Sequence, residues 1–158
     1  MLLSNQFSPT AGTELLLFLA DRAQHVNETI LPALNAGKWV LCDRYSDSTL
    51  AYQMAGRGID LADLSVLLGF AEQGCRPGLT LWLDMPVRKS LARMHQRVQR
   101  GEEETRLDAE SLGFHQRVWQ GYEQIWRLEP ERICRIDADG DVGEVQMQIQ
   151  SAILDRFQ

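Results

Sequence analysis

The residues best equipped for chemistry lie between Val40 and Gly58, VLCDRYSDSTLAYQMAGRG. Asp43-Arg44-Tyr45 is followed by Ser46, Asp47, Ser48, Thr49, Tyr52 and Gln53, and the stretch closes on Gly56-Arg57-Gly58. Hydroxyls, an amide and two arginines form a binding surface for a polar, anionic ligand. Strand ends in open α/β sheets are where such ligands sit. The ordinary alternative is a solvated loop after a core strand. Arg22 is a second candidate. It stands four residues from both Phe18 and Val26, inside an apolar stripe. A charge there is costly unless it is paired or faces a ligand, and a snorkelling arginine is the competing reading. The third feature is basic. Arg88, Lys89, Arg93, Arg97 and Arg100 fall between residues 86 and 100, with no acidic residue among them, on a chain of net charge −6. Such a face suits phosphate groups, although a charge run is more often a solvated helix face.

These side chains need elements to hold them. Leu15, Phe18, Leu19, Val26 and Ile30 recur at helical spacing and predict a helix over about 13–36, capped by Thr13 and stopped by Gly37. A buried strand over 39–43 follows and leads into the polar loop. Asp60 caps a helix over about 61–73 that Gly74 stops. Residues 79–84 form a second strand ending in Asp84, and Pro86 opens the basic helix 86–100. Asp108 caps a helix running to about 128. Residues 132–137 form a third strand, and a last amphipathic helix covers about 141–157. Strands separated by helices indicate a parallel sheet with helical crossovers.

The 158 residues suit one domain that buries roughly 70% of its unfolded surface. The net charge of −6 argues against a general nucleic-acid binder. Cys42, Cys75 and Cys134 have no metal-type spacing and read as reduced thiols of a cytoplasmic protein. No apolar run is long enough to span a membrane, and residues 1–13, read as a loop from residue 3 onward, lack the features of a secretion signal. His25, His95 and His115 are not spaced as metal ligands. There is no G-x-S-x-G elbow, and no G-x-x-x-x-G-K-[ST] phosphate loop occurs in the sequence.

Taken together, these residues resemble the thymidylate kinase family. Glu14-Leu-Leu-Leu-Phe18 and Asp21-Arg22-Ala-Gln24-His25-Val26 resemble its base-binding helix. Asp43-Arg44-Tyr45, Asp47-Ser48-Thr49-Leu-Ala-Tyr52-Gln53 and Gly56-Arg57-Gly58 resemble its Asp-Arg-aromatic segment. Arg76-Pro77, Phe114-His115 and Ile136-Asp137-Ala138 also fit, so the resemblance runs in order from about residue 12 to 154.

The resemblance implies a nucleoside-monophosphate-kinase fold of the P-loop type, a parallel sheet with helices on both faces, here without its N-terminal strands and phosphate loop. It implies a single thymidylate-kinase-like domain, shortened at its start, spanning residues 1–158, with a lid segment at about 93–108. It implies transfer of the ATP γ-phosphate to dTMP, with Mg2+. Phe18 would stack on thymine and Arg22 would hydrogen-bond it. Arg44 would grip the monophosphate, and Ser48, Tyr52 and Gln53 would contact base and sugar. Asp43 would sit near the phosphates and reach the metal through water. Arg93, Arg97, Arg100 or Arg106 would meet the transferring phosphoryl group, since such catalysis is mostly positioning and charge neutralisation. A cytoplasmic homodimer is implied. Two other readings stand beside the kinase: a non-catalytic nucleotide-binding or dimerisation module, and a deoxynucleoside kinase. Because the phosphate loop is absent from these residues, activity of this chain alone is expected to be impaired.

Overall fold

The computed structural model describes residues 8–157. Expectations that touch residues 1–7, the early loop and the absence of a leader among them, lie outside the described residues. The chain forms two compact units, Met1–Arg76 and Pro77–Gln158.

The first unit is built on a long helical rod. Helix α1 (Ala11–His25) continues through a π-helical turn, Val26–Ile30, into α2 (Leu31–Asn35). The rod starts two residues earlier than the apolar pattern suggests. Thr10, not Thr13, is its cap: the Thr10 hydroxyl accepts from the Thr13 backbone N–H at 3.3 Å. Gly37, at φ 70°, stops it in the left-handed region. Helix α3 (Ser46–Thr49) runs into a second π-helical segment, Leu50–Gly56, and α4 (Leu61–Glu72) follows with Asp60 as its cap, accepting from Ala62 N at 2.7 Å. Leu15 and Leu19 of α1 pack against Leu64, Leu68 and Ala71 of α4, with Leu50 and Met54 added from the π-helical segment. The expected strand at 39–43 is not formed. A strand is stabilised by its ladder partner, and the sheet among the described residues consists of two other strands. Residues 38–42 are irregular, and Leu41 is 97% exposed.

The second unit contains that sheet. Strands β1 (Thr80–Asp84) and β2 (Ile133–Asp137) are parallel, with Thr80 opposite Ile133 and Asp84 opposite Asp137. The crossover between them carries α5 (Val87–Gln99) and α6 (Leu112–Leu128). Ser111 caps α6 by accepting from Phe114 N at 3.2 Å, where Asp108 was the expected cap. Asp108 instead closes a turn, taking the Thr105 hydroxyl at 2.7 Å and the Thr105 N–H at 3.1 Å. Helix α7 (Val142–Phe157) opens with a reciprocal capping box between Asp141 and Glu144. Trp82, Met94, Phe114, Val118, Ile125, Ile133 and Ile136 are buried.

Asp84 is the polar centre of this unit. Its carboxylate accepts from Trp119 Nε1 at 2.6 Å and from Arg135 Nε and Nη2 at 2.8 and 2.6 Å. The Arg135 guanidinium also lies over the Trp82 ring at 5.1 Å and the Trp126 ring at 5.5 Å. Removing the carboxylate leaves a part-buried indole donor and a part-exposed guanidinium without their acceptor. Asp84→Ala is therefore expected to destabilise the chain by about 1–2 kcal/mol, read as a lower urea midpoint by tryptophan fluorescence. Among the described residues, no helix is long and apolar enough to cross a membrane.

Candidate functional site

Phe18, Arg22, Asp43, Arg44, Ser48, Tyr52 and Gln53 all lie in the first unit, on α1 and on the run from Asp43 to Arg57. The run departs from ordinary backbone at its second residue. Arg44 has φ 65°, a left-handed conformation unfavourable for a residue with a Cβ. Cys42 Sγ donates to the Arg44 carbonyl at 3.4 Å across this bend. Arg44 is exposed, with its guanidinium 5.1 Å from the centre of the Tyr52 ring. Asp43 beside it is also exposed. Strained backbone persists only where its surroundings hold it, and such positions cluster at binding sites.

Arg22 is the other half of the arrangement. It is partly buried, and its Nη2 donates to the Thr49 hydroxyl at 3.0 Å. The guanidinium lies 4.4 Å from the centre of the Tyr45 ring. Its Nε and Nη1 are buried with no hydrogen-bond partner. Burial pushes the guanidinium below its usual range, while Tyr45, Glu72, Cys42 and Asp21 oppose the shift. The snorkelling alternative does not describe this side chain, because its head is buried with its stem. Phe18, one turn earlier on α1, is partly exposed, whereas Leu15 and Leu19 are buried.

Tyr45 forms the floor under Arg22 and donates its hydroxyl to the Cys75 carbonyl at 2.9 Å. Its pKa is pushed up to about 12, chiefly by burial, with Cys75 and Glu72 adding and Arg22 opposing. A phenol whose folded pKa exceeds its unfolded value near 10 binds its proton more tightly when folded. Its contribution is complete below about pH 10 and is lost as pH rises through about 12. The stability difference between the natural chain and Tyr45→Phe is expected to shrink across that window. Urea unfolding at pH 9, 10 and 11 checks this, and a constant difference contradicts it.

Ser48 is partly exposed. Gln53 is 1% exposed, and its amide donates to Glu14 Oε1 at 2.7 Å. Gln53 Oε1 and Ser46 Oγ are buried without partners. Tyr45, Thr49 and Arg57 stood in the candidate stretch without an individual role, and Glu14 was only part of the helix motif. Glu14 could have been singled out. It lies four residues before Phe18 and eight before Arg22, so it is a second charge on the stripe that made Arg22 conspicuous.

The basic residues of the second unit have a different character. Arg93, Arg97 and Arg100 are exposed on α5 and just after it, and Arg106 is partly buried beyond it. Acidic partners missing from the helix come from flanking loops: Lys89 pairs with Asp139, and Arg97 pairs with Glu102 at 3.6 Å. Arg93 donates to the Ala138 carbonyl at 3.0 Å. Part of this face is therefore tied to its own unit. A shallow depression along α6, lined by Gln120, Glu123, Gln124, Arg127 and Leu128, holds none of the candidate residues. Among the described residues, no group of three or more His, Cys, Asp or Glu is placed to hold a metal ion.

Residues 1–149 match the protein-family profile described as Thymidylate kinase. The chain is 47% identical over 157 residues to a thymidylate kinase of Synechococcus sp., covering 99% of this chain and 72% of that protein. It is 52% identical over 143 residues to a thymidylate kinase of Desulfovibrio desulfuricans, covering 89% and 66%. It is 53% identical over 134 residues to one of Syntrophotalea carbinolica, covering 84% and 62%. The chain thus spans about two thirds of the length of these relatives.

Proposed function

The chain belongs to the thymidylate kinase family, and on that premise we propose that its first unit is the acceptor half of a site that transfers the ATP γ-phosphate to dTMP, giving dTDP and ADP. The observation that carries this reading is the Arg22 guanidinium, with Nε and Nη1 buried and unpartnered beside the Thr49 hydroxyl. A buried donor without an acceptor costs about 1–3 kcal/mol. A pyrimidine carbonyl supplies the missing acceptor, and Phe18, one turn away, supplies a face for the ring to stack on.

In this reading Arg44 holds the 5′-monophosphate through two parallel N–H···O bonds. Its exposure and its approach to the Tyr52 ring support this reading. Ser48 and Tyr52 contact base and sugar, and Gln53 shapes that surface from behind. Asp43 offers one exposed carboxylate. One carboxylate plus substrate phosphates suits Mg2+, which keeps several waters and is seldom caged by protein alone. When bound, the ion neutralises phosphate charge. Arg93, Arg97, Arg100 and Arg106 are the cations proposed for the lid over the transferring phosphoryl group.

A cytoplasmic homodimer belongs to the same proposal. Supporting it are the free thiols Cys42, Cys75 and Cys134 and the apolar Val66 and Phe70 of α4, 74% and 79% exposed.

No G-x-x-x-x-G-K-[ST] occurs in the 158 residues, so the lysine and loop amides that cradle ATP phosphates are not among them. This observation favours a second reading, in which the chain binds the acceptor nucleotide without turning it over. Calorimetry with dTMP and a coupled ADP-release assay separate the two. Binding of dTMP with little ADP release is the expected result for these residues assayed alone. Robust turnover would overturn the impairment, and absence of dTMP binding would overturn the acceptor site.

A further inference from the structure

We propose that Glu14 is a positioning residue for the acceptor site, acting through Gln53 and Arg57; this rests on the reading of the first unit given above. Glu14 is 1% exposed. A carboxylate so deeply buried is tolerated only with good partners, and it has them. Oε1 accepts from Gln53 Nε2 at 2.7 Å and from Arg57 Nε at 3.2 Å, and Oε2 accepts from Arg57 Nη2 at 3.2 Å. Both donors belong to one stretch: Gln53 lies inside the π-helical segment, and Arg57 is the residue that ends it.

The placement gives these bonds a role beyond holding the fold. Glu14 stands on α1, one turn before Phe18 and two turns before Arg22. A second polar tie, Arg22 to Thr49, joins the same helix to the same run. Eight helical residues, about 12 Å, separate the two ties along α1. Between them the contact is apolar, with Leu50 and Met54 packed against the cluster of Leu15 and Leu19. Apolar contacts are non-directional and tolerate sliding, whereas a carboxylate bound by a guanidinium fork and an amide does not. Tyr52 sits next to Gln53 in this turn. A π-helical turn is rare and is frequently found at functional sites. The Glu14 clamp holds this one in register, so that Tyr52 on the run and Phe18 and Arg22 on the helix face one ligand.

The test compares Arg57→Met with the double variant Glu14→Leu/Arg57→Met. The single variant leaves a buried carboxylate without its cation and loses stability. The double variant removes both charges and regains most of it. Positioning predicts that the double variant, although stable, binds dTMP about tenfold or more weakly than the natural chain. It also predicts faster amide hydrogen exchange over residues 50–57, with α4 as protected as before. If dTMP affinity returns together with stability, Glu14 is merely structural and the proposal is overturned. If the natural chain itself binds no dTMP, the acceptor reading fails and takes this role with it. Natural affinity retained in both variants overturns the positioning role alone.

Discussion

Arg22→Met is expected to weaken dTMP binding by about 100-fold while making the ligand-free protein more stable. The two effects share one cause. In the free protein the guanidinium is buried with Nε and Nη1 unpartnered, and each such group costs about 1–3 kcal/mol. Against this stand one hydrogen bond to Thr49 at 3.0 Å and a cation–π contact with Tyr45 at 4.4 Å, together about 1–2 kcal/mol. Methionine keeps the apolar stem and fills the space without the charge, so a net gain of about 1 kcal/mol is expected. With ligand present the account reverses. Loss of the charge-assisted hydrogen bonds proposed to the base would remove about 1.5–3 kcal/mol of binding, and each 1.4 kcal/mol is about tenfold in affinity. Thymidine, which has the base and no phosphate, should lose as much as dTMP. Urea unfolding and calorimetry with both ligands check this. An unchanged affinity removes Arg22 from the site, and a lower urea midpoint means that the guanidinium is better satisfied than its surroundings indicate.

Arg44→Gly should produce the complementary pattern. Arg44 holds φ at 65°, where a Cβ costs about 1–2 kcal/mol. Glycine adopts this conformation freely but gives up more chain entropy on folding, so the expected gain in stability is about 0.5–1 kcal/mol. Binding of dTMP should fall by about 100-fold, because the fork of two charge-assisted bonds proposed for the monophosphate would be lost. Thymidine affinity should hardly change. The pair of variants therefore separates base from phosphate: Arg22→Met weakens both ligands, and Arg44→Gly weakens only the one with a phosphate. The contrast also tests the deoxynucleoside kinase reading. If Arg44→Gly weakens thymidine as much as dTMP, the residue does not read the phosphate and the unphosphorylated substrate becomes the better assignment. Both variants draw on the same property: the chain keeps a partly satisfied guanidinium at Arg22 and a strained bend at Arg44.

Local order is carried by the sequence where its physical cause is local. Gly37 and Asp60 mark the helix boundaries they were expected to mark, because a left-handed stop and a side-chain cap depend on a few neighbouring residues. Strand β1 was legible as an apolar run, and both strands as short segments ending in Asp. Arg22 was conspicuous because a charge within a helical apolar stripe demands a partner wherever the helix packs. Asp43, Arg44 and Tyr52 stood out as polar residues in one stretch, and the roles proposed for them come from the family resemblance. The tertiary structure alone decided the rest. It left 39–43 without a ladder, since pairing depends on what lies alongside a segment. It brought Gln53 and Arg57 to Glu14, residues about forty positions apart in the chain. It wound Leu50–Gly56 as a π-helix, a geometry that side-chain periodicity does not announce. It also supplied Asp139 and Glu102 as partners for the basic helix from outside it. Helix stops, caps and stripes follow from interactions within a few residues. The fate of a buried charge is settled by whichever distant group the fold places against it.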